Sequence, residues 1–157
     1  MKKHLGFTLL ELLIVIAIIA ILAVIVFVAL DPLTRFRNAR DAQRWSDVIE
    51  ILDGIVFYQA DNGGEYMSAV DLLVEDTYYQ IGEAAVGCQD SCTDAATLSA
   101  CVDLAELVDE GYLPRIPTDP SAGTIDETDY YIYKSATGSI TVGACDPEGD
   151  SAISVSR

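Results

Sequence analysis

An unbroken apolar segment near the N-terminus limits what this chain can fold into. From Phe7 to Leu30 only Thr8 and Glu11 are polar, and neither glycine nor proline interrupts the run. As a helix that rises about 1.5 Å per residue, the segment would be about 36 Å long, enough to cross a hydrocarbon core of about 30 Å. A helix with no polar face needs lipid or other apolar helices around it.

Basic residues lie on both sides of this segment. Lys2 and Lys3 precede it, and the positive-inside tendency then predicts a single pass with the N-terminus in the cytoplasm. The arginines that follow the segment oppose this orientation: Arg35, Arg37, Arg40 and Arg44. We give the two lysines more weight, because they are synthesised first and lie close to the membrane.

Two common kinds of segment explain the run less well. The apolar core of a secretory signal peptide spans about 7–15 residues and ends at a small-x-small cleavage site. The present run is longer, and the residues around Asp31 and Pro32 match such a site poorly. A plain signal anchor explains the length and the lysines but not Gly6 or Glu11, and a carboxylate inside an apolar span is costly.

The residues around Gly6 resemble a known family. Lys2-Lys3-His4-Leu5-Gly6 followed by Phe7-Thr8-Leu9-Leu10-Glu11 resembles the class III leader of type IV prepilins and pseudopilins. The resemblance implies that a membrane-embedded aspartyl prepilin peptidase removes residues 1–6 by cutting between Gly6 and Phe7, and that the new N-terminal Phe7 is then N-methylated. It also implies an assembly platform and a cytoplasmic ATPase as partners, which lift subunits from the cytoplasmic membrane into an extracellular surface filament.

Glu11 then becomes the fifth residue of the mature chain. In a water-poor bundle of stems, its carboxylate can pair with the amine of Phe7 in a neighbouring subunit. Opposite charges about 4 Å apart attract strongly at low dielectric, whereas an unpaired charge is costly. We therefore expect Glu11 to set the axial register between subunits, while the apolar stems supply adhesion.

The apolar helix, residues 7–31, is expected to continue beyond Pro32 as an amphipathic helix to about Asp61, with a bend or break at the proline. Asn62-Gly63-Gly64 provides the stop signal. Trp45 is predicted to lie in the core, and Gly54 to permit close packing. The predicted polar face contains Arg37, Arg40, Arg44, Asp47, Glu50 and Asp53, with Asp41 and Asp47 spaced to pair with Arg44.

The rest of the globular head, residues 32–157, predicts an α+β fold. Tyr130–Lys134 and Ser139–Ala144 are rich in aromatic and β-branched residues, and a tight turn at 136–138 joins them as a hairpin. The capping-box pattern Asp103-Leu104-Ala105-Glu106 predicts a short helix from Asp103, ended by Gly111. Residues 65–102 are expected to form a loop with a short strand or helix. The long helix packed on a small antiparallel sheet corresponds to the pilin fold.

Four cysteines lie beyond the apolar run: Cys88, Cys92, Cys101 and Cys145. An even number in an exported domain predicts two disulfides. Zinc fits less well, because only Cys88 and Cys92 are close in sequence and the one histidine, His4, lies in the leader. Of the three pairings, we favour Cys88–Cys92 with Cys101–Cys145.

The charge of the head disfavours several functions. The chain has 25 acidic and 9 basic residues, and from Asp47 onward the only basic ones are Arg115, Lys134 and Arg157. Nucleic acid is therefore not an expected partner. No nucleophile–base arrangement and no phosphate-binding glycine loop is recognisable, so we expect neither an enzyme nor a cofactor.

A second resemblance, weaker than the first, lies in the segment from Gly111 to Tyr133, which is similar to pilins and to the major pseudopilin of type II secretion. That pseudopilin usually has Asp-Pro-Trp-Gly before its strands and binds calcium in a nearby loop, but here Asp119-Pro120 is followed by Ser121-Ala122-Gly123. Four acidic residues in this region offer oxygen ligands: Asp119, Asp126, Glu127 and Asp129. In so acidic a chain we favour a solvated loop and no metal.

These observations predict a major-type structural pilin that polymerises through its N-terminal helix. The alternatives are a type II secretion pseudopilin, or a minor or tip pilin that binds a surface or DNA. Exposed tyrosines would serve such binding, but we expect the tyrosines of residues 78–79 and 130–133 to pack the sheet.

Replacing Gly6 by a bulky residue should leave residues 1–6 attached, because the resemblance implies a peptidase pocket that admits only a small side chain there. Intact-mass spectrometry of the membrane fraction measures this directly. A mature chain of normal mass from the variant would contradict the cleavage assignment.

Overall fold

A computed structural model describes residues 6–84, 88, 92–149 and 152–157. The first five residues, which hold the basic part of the proposed leader, lie outside this range. The chain divides into two compact units, Met1–Phe36 and Arg37–Arg157.

The first unit is dominated by helix α1, Leu9–Leu30. Its residues are all apolar except Glu11, and none of them is buried. The helical stretch that α1 begins is long and apolar enough to cross a membrane, and the most apolar part of that stretch is entirely unburied. That exposure distinguishes it from the central helix of a water-soluble core.

The helical path is interrupted at Asp31, whose left-handed φ of 36° ends α1. Arg35 Nε donates to the carbonyl oxygen of Leu30 at 2.8 Å, which satisfies one of the free carbonyls at the end of α1. The hydroxyl of Thr34 donates to the Asp31 carboxylate at 2.6 Å as helix α2, Pro32–Asp61, begins. The break predicted from Pro32 is therefore confirmed, one residue before the proline.

In the second unit, α2 packs against a five-stranded sheet and ends at Asp61, as predicted. The strands are β1 (Thr77–Ile81), β2 (Thr97–Val102), β3 (Tyr130–Lys134), β4 (Ile140–Ala144) and β5 (Ser154–Ser156). Two short helices, α3 (Ser68–Asp71) and α4 (Ala105–Asp109), complete the described elements.

The strand order is β2-β1-β3-β4-β5, and all neighbours are antiparallel except β1 and β2, which are parallel. The predicted hairpin is confirmed: β3 and β4 pair from Tyr130 opposite Ala144 to Lys134 opposite Ile140. Gly138 takes the left-handed φ of 85° that the turn requires. The segment 65–102 holds more structure than expected, since it contributes α3, β1 and β2.

The α+β class is confirmed, and so is the packing role of Gly54. The main core joins one face of α2 to one face of the sheet, through Val48, Ile51, Leu52 and Ile55 on the helix and Ile81, Tyr130, Ile132, Ile140 and Val142 on the strands. A Cβ atom at Gly54 would lie 2.9 Å from Leu113 Cγ, so glycine allows this loop residue to approach the helix.

The prediction for Trp45 was wrong, because its side chain remains 40% exposed. The buried residues of α2 begin at Arg44 and continue at helical spacing through Val48 and Ile51. Adjacent residues of a helix point about 100° apart, so a core-facing Arg44 turns Trp45 away from the core. The assignment of Arg44 to the polar outer face was wrong for the same reason.

The short helix near Asp103 forms, but without the expected capping box. Its N-cap position is Leu104, which makes no side-chain cap hydrogen bond, while Asp103 Oδ1 accepts from the backbone nitrogen of Ala105 at 2.8 Å. Gly111 follows the helix with a left-handed φ of 84°, as its stop signal predicted.

Two disulfides are present, as predicted, but the favoured pairing was wrong. The bonds are Cys88–Cys101 and Cys92–Cys145, with Cα–Cα distances of 5.3 and 4.4 Å. Cys101 lies on β2 next to β1, and Cys88 Sγ is 3.5 Å from Oε1 of Gln80 on β1. Asp94 donates its backbone N–H to the Cys145 carbonyl, which places Cys92 near the end of β4. Sheet pairing thus brings together cysteines that are distant in sequence.

The two bonds should differ in their effect on stability. Cys92–Cys145 spans 53 residues and Cys88–Cys101 spans 13, and a longer closed loop restricts the unfolded chain more. In the chain-entropy model the double substitution of Cys92 and Cys145 by Ser should cost about 1 kcal/mol more than that of Cys88 and Cys101. Urea unfolding of both double variants checks this, and an equal or reversed cost would contradict it.

Candidate functional site

The N-terminal segment presents its residues without tertiary contacts that would hide them. Phe7 is 83% exposed, and a Cβ atom added at Gly6 would meet nothing within 4 Å. Packing within the chain therefore gives no reason for glycine at position 6. A requirement imposed from outside the chain, such as a peptidase pocket, remains a sufficient reason for a small residue there.

Glu11 and Thr8 form a capping box at the start of α1. The Thr8 hydroxyl accepts from the backbone nitrogen of Glu11 at 3.2 Å, and Glu11 Oε2 accepts from the backbone nitrogen of Thr8 at 2.8 Å. The same carboxylate oxygen also accepts from the Thr8 hydroxyl at 2.8 Å. These bonds satisfy donors at the N-terminus of the helix, where a negative charge is also favoured by the helix dipole.

This local role of Glu11 was missed by the sequence analysis, although its signal was present. Thr8-Leu9-Leu10-Glu11 has the S/T-x-x-E spacing of a capping box directly before an apolar run. Glu11 therefore has a partner within its own chain before any neighbouring subunit is considered. A test of its role in assembly must separate the charge from the cap.

The acidic region near Asp119 is organised around a buried arginine rather than around solvent. Arg44 and Asp119 form a two-pronged ion pair, with Nε–Oδ2 at 2.5 Å and Nη2–Oδ1 at 3.0 Å. Their side chains are 1% and 2% exposed. The interpretation of Asp119 as part of a solvated loop was therefore wrong.

Three further side chains surround the same guanidinium. Asp41 Oδ1 lies 2.7 Å from Nη1, as the spacing predicted, and Ser121 Oγ and Glu148 Oε1 lie 2.8 and 3.2 Å from Nη2. Burial alone would lower the pKa of Arg44, but the hydrogen bonds that it donates to Asp119 and Asp41 raise this pKa above its usual value. Glu148 also pairs with Arg40, and this pair lowers the pKa of Glu148 to about 2.

The other acidic candidates are not arranged around a common point. Asp129 is buried, has a left-handed φ of 58°, and its Oδ1 accepts from Gln80 Nε2 at 3.0 Å. Asp126 is exposed, and Glu127 is partly exposed. Asp47, the second predicted partner of Arg44, accepts from the Tyr130 hydroxyl at 2.7 Å. Among the described residues, no group of three or more His, Cys, Asp or Glu side chains has the arrangement of a metal site.

Most predicted tyrosines pack the sheet, as expected. Tyr130 and Tyr131 are buried, and Tyr131 covers Gly143 on the neighbouring strand, where a Cβ atom would collide with its ring. Tyr78 contacts the rings of Tyr131 and Tyr133 at centroid distances of 5.4 and 4.7 Å.

Comparison with known proteins gives one match. Residues 1–27 match the family model described as the prokaryotic N-terminal methylation motif, which is the class III prepilin signature of type IV pilins. No curated protein and no solved structure matches the chain. The matched segment contains Gly6, Phe7 and Glu11 and most of α1.

Asp129 offers a pH test of the acidic region. Its pKa is raised by burial and by the nearby charges of Asp119 and Asp146. When the pKa of a carboxyl is higher in the folded state, its ionisation destabilises the folded state. This free-energy cost is absent below the unfolded-state pKa of about 3.8 and grows as the pH rises above it. Asp129→Asn should therefore raise the melting temperature at pH 7 but not near pH 3.

The isosteric amide keeps an oxygen that accepts from Gln80, and Asn tolerates the left-handed φ. Thermal unfolding of both proteins from pH 3 to pH 8 gives the comparison. A lower melting temperature for the variant at pH 7 would show that the Asp129 charge has a favourable partner.

Proposed function

We propose that this chain, whose first 27 residues carry the class III prepilin signature, is a major-type structural subunit of a type IV pilus-like extracellular filament. The motif supports a type IV pilin-like or pseudopilin protein. The observation that carries the finer proposal is α1 itself, an apolar helix with no residue buried by its own chain and a single carboxylate in its first turn.

The exposed surface of α1 supplies the driving force for polymerisation. Burying a Leu, Ile or Val side chain contributes about 1.5–3 kcal/mol relative to exposure to water. In the cytoplasmic membrane lipid satisfies this surface, and in a filament other copies of α1 replace the lipid. Removal of residues 1–6 takes Lys2 and Lys3 away from the segment that must leave the membrane.

Glu11 then has a specific part in assembly. Cleavage after Gly6 creates a positively charged amine at Phe7, four residues before Glu11. In the apolar interior of a filament an unpaired carboxylate is costly, so a neighbouring amine favours one axial offset between subunits. The contact with Thr8 orients the carboxylate at the tip of the helix.

The head fits the outer surface of such a filament. Acidic side chains of the head form ion pairs with its basic side chains: Lys134 pairs with Asp71 at 3.4 Å, Arg157 with Asp53 at 2.7 Å, and Arg40 with Glu148. This arrangement, together with the net charge of −16, supports a solvated outer face and disfavours binding of DNA by a tip subunit. The motif also suggests a structural protein rather than an enzyme.

A type II secretion pseudopilin is the second candidate, and the shared N-terminal motif favours it equally. The resemblance to that family implies a calcium-binding loop, but here both carboxylate oxygens of Asp119 accept hydrogen bonds from Arg44 and are not available as calcium ligands. This difference favours the pilus subunit.

Purified filaments and the mass of their subunit test the proposal. We expect the main subunit of sheared surface filaments to begin at Phe7 and to carry one methyl group. A full-length chain found only as a membrane-bound monomer would overturn the proposal, and a mature chain found only in short periplasmic assemblies would favour the pseudopilin.

Three substitutions separate the two roles of the Thr8–Glu11 contact. Glu11→Ala removes the charge and the cap, Glu11→Gln keeps a hydrogen-bonding cap without the charge, and Thr8→Ala keeps the charge without the hydroxyl. If the charge sets the register, filament yield should fall at least about tenfold in both Glu11 variants, equivalent to about 1.4 kcal/mol. Thr8→Ala should retain most of its assembly.

Quantitative immunoblotting of sheared filaments, normalised to processed subunit in the membrane, gives the yield. All three chains should be cleaved normally. Wild-type assembly of Glu11→Gln would assign Glu11 to helix capping and contradict the register mechanism.

A further inference from the structure

The cluster around Arg44 gathers oxygen atoms from three distant parts of the head. Asp41 belongs to α2 like Arg44 itself, Asp119 and Ser121 belong to the segment before β3, and Glu148 follows β4. All four side chains lie within 3.2 Å of one guanidinium. This geometry resembles the gathering of carboxylates by a metal ion, with an organic cation at the centre.

The donor set does not fit an additional divalent cation. Calcium binds six to eight oxygens at about 2.3–2.6 Å. Both carboxylate oxygens of Asp119 already bond Arg44, and Oδ1 also accepts from the backbone nitrogen of Ser121 at 2.7 Å. A calcium ion bound to Asp119 would lie beside a buried positive charge, so it could bind there only if the arginine moved away.

The loop itself is closely packed around this contact. The backbone nitrogen of Asp119 donates to the Thr128 carbonyl at 2.9 Å, and Gly123 is so close to both residues that a Cβ atom would collide with them. Thr128 in turn donates its backbone N–H to Ile81 of β1 at 3.0 Å. The Arg44–Asp119 pair therefore connects α2, the 119–128 loop and the sheet.

We propose that Arg44 is the resident cation of the head: its two-pronged contact with Asp119 holds the 119–128 loop, and no divalent cation is needed there. The loop keeps its conformation without calcium, and a chain without the guanidinium loses stability that calcium does not restore. The inference concerns the folded head alone and does not depend on whether the chain polymerises.

The full-length protein in detergent tests this proposal through the melting temperature of its head, followed by near-ultraviolet circular dichroism. For the wild type we expect the melting temperatures in 5 mM EDTA and in 5 mM CaCl₂ to agree within about 2 °C, since a ligand that does not bind the folded state does not shift it. A rise of more than about 5 °C in calcium would overturn the proposal.

Arg44→Gln supplies the second arm, with Arg37→Gln as the matched control, because Arg37 is an exposed arginine on the same helix. In EDTA, Arg44→Gln should lower the melting temperature by about 10 °C or more, since it leaves the buried Asp119 carboxylate without its cation, and Arg37→Gln should leave it unchanged. Calcium should restore none of the loss in Arg44→Gln, because the carboxylates described around Arg44 do not have the arrangement of a metal site.

The behaviour of the Arg44 variants in calcium also tests the proposal. A folded Arg44→Gln chain whose melting temperature calcium raises by more than about 5 °C would overturn the proposal, because the carboxylates would then form a site for a divalent cation. Should this variant fail to accumulate, Arg44→Lys carries the test, because it keeps the charge and loses the two-pronged geometry. Its melting temperature in EDTA should be lower than that of the wild type, and calcium should not raise it. A wild-type value would overturn the proposal, because the two-pronged contact would then not be needed.

Discussion

The apolar surface of α1 is the constraint on which the behaviour of this chain depends. None of its residues is buried by the chain, and it has no polar face that water could solvate. Such a helix is stable only inside another apolar environment, and lipid and copies of the same helix are the two that the proposed filament subunit would meet. The single carboxylate near its end would make these two environments unequal, because a bundle of chains cleaved after Gly6 would offer it an amine and lipid would not.

The head is organised by a different interaction, the buried pair of Arg44 and Asp119. Removing two charges from water is costly, and bidentate geometry with supporting hydrogen bonds offsets that cost. Asp41, Ser121 and Glu148 supply further oxygen atoms that accept hydrogen bonds from the Arg44 guanidinium, so its positive charge is surrounded by polar partners. Arg44 lies on the same face of α2 as the buried residues Val48 and Ile51, whereas Trp45 points away from that face and is exposed.

The sequence was informative where one kind of force dominated. The apolar composition identified α1, and the aromatic and β-branched residues on either side of a tight turn identified the β3–β4 hairpin. The buried face of α2 was misassigned because a hydrophobic pattern counts arginine as polar. Arg44 is buried by partners at positions 119 and 148, which are too far away in the sequence for a local pattern to include.

The disulfide pairing failed for a related reason, since the parallel placement of β2 beside β1 brings Cys88 to Cys101. The capping box at Thr8 and Glu11 was readable from spacing but was overlooked in favour of a role between subunits.

The interruption at Asp31 has a practical consequence for the study of this molecule. The backbone there leaves the helix, and the compact unit that begins at Arg37 contains every partner of the Arg44 cluster, both disulfides and the whole sheet. An expression fragment that starts just after the interruption would omit the detergent-requiring stem while retaining these cross-links and ion pairs. Such a fragment, exported to an oxidising compartment, is a suitable specimen for crystallisation or for solution NMR of the head.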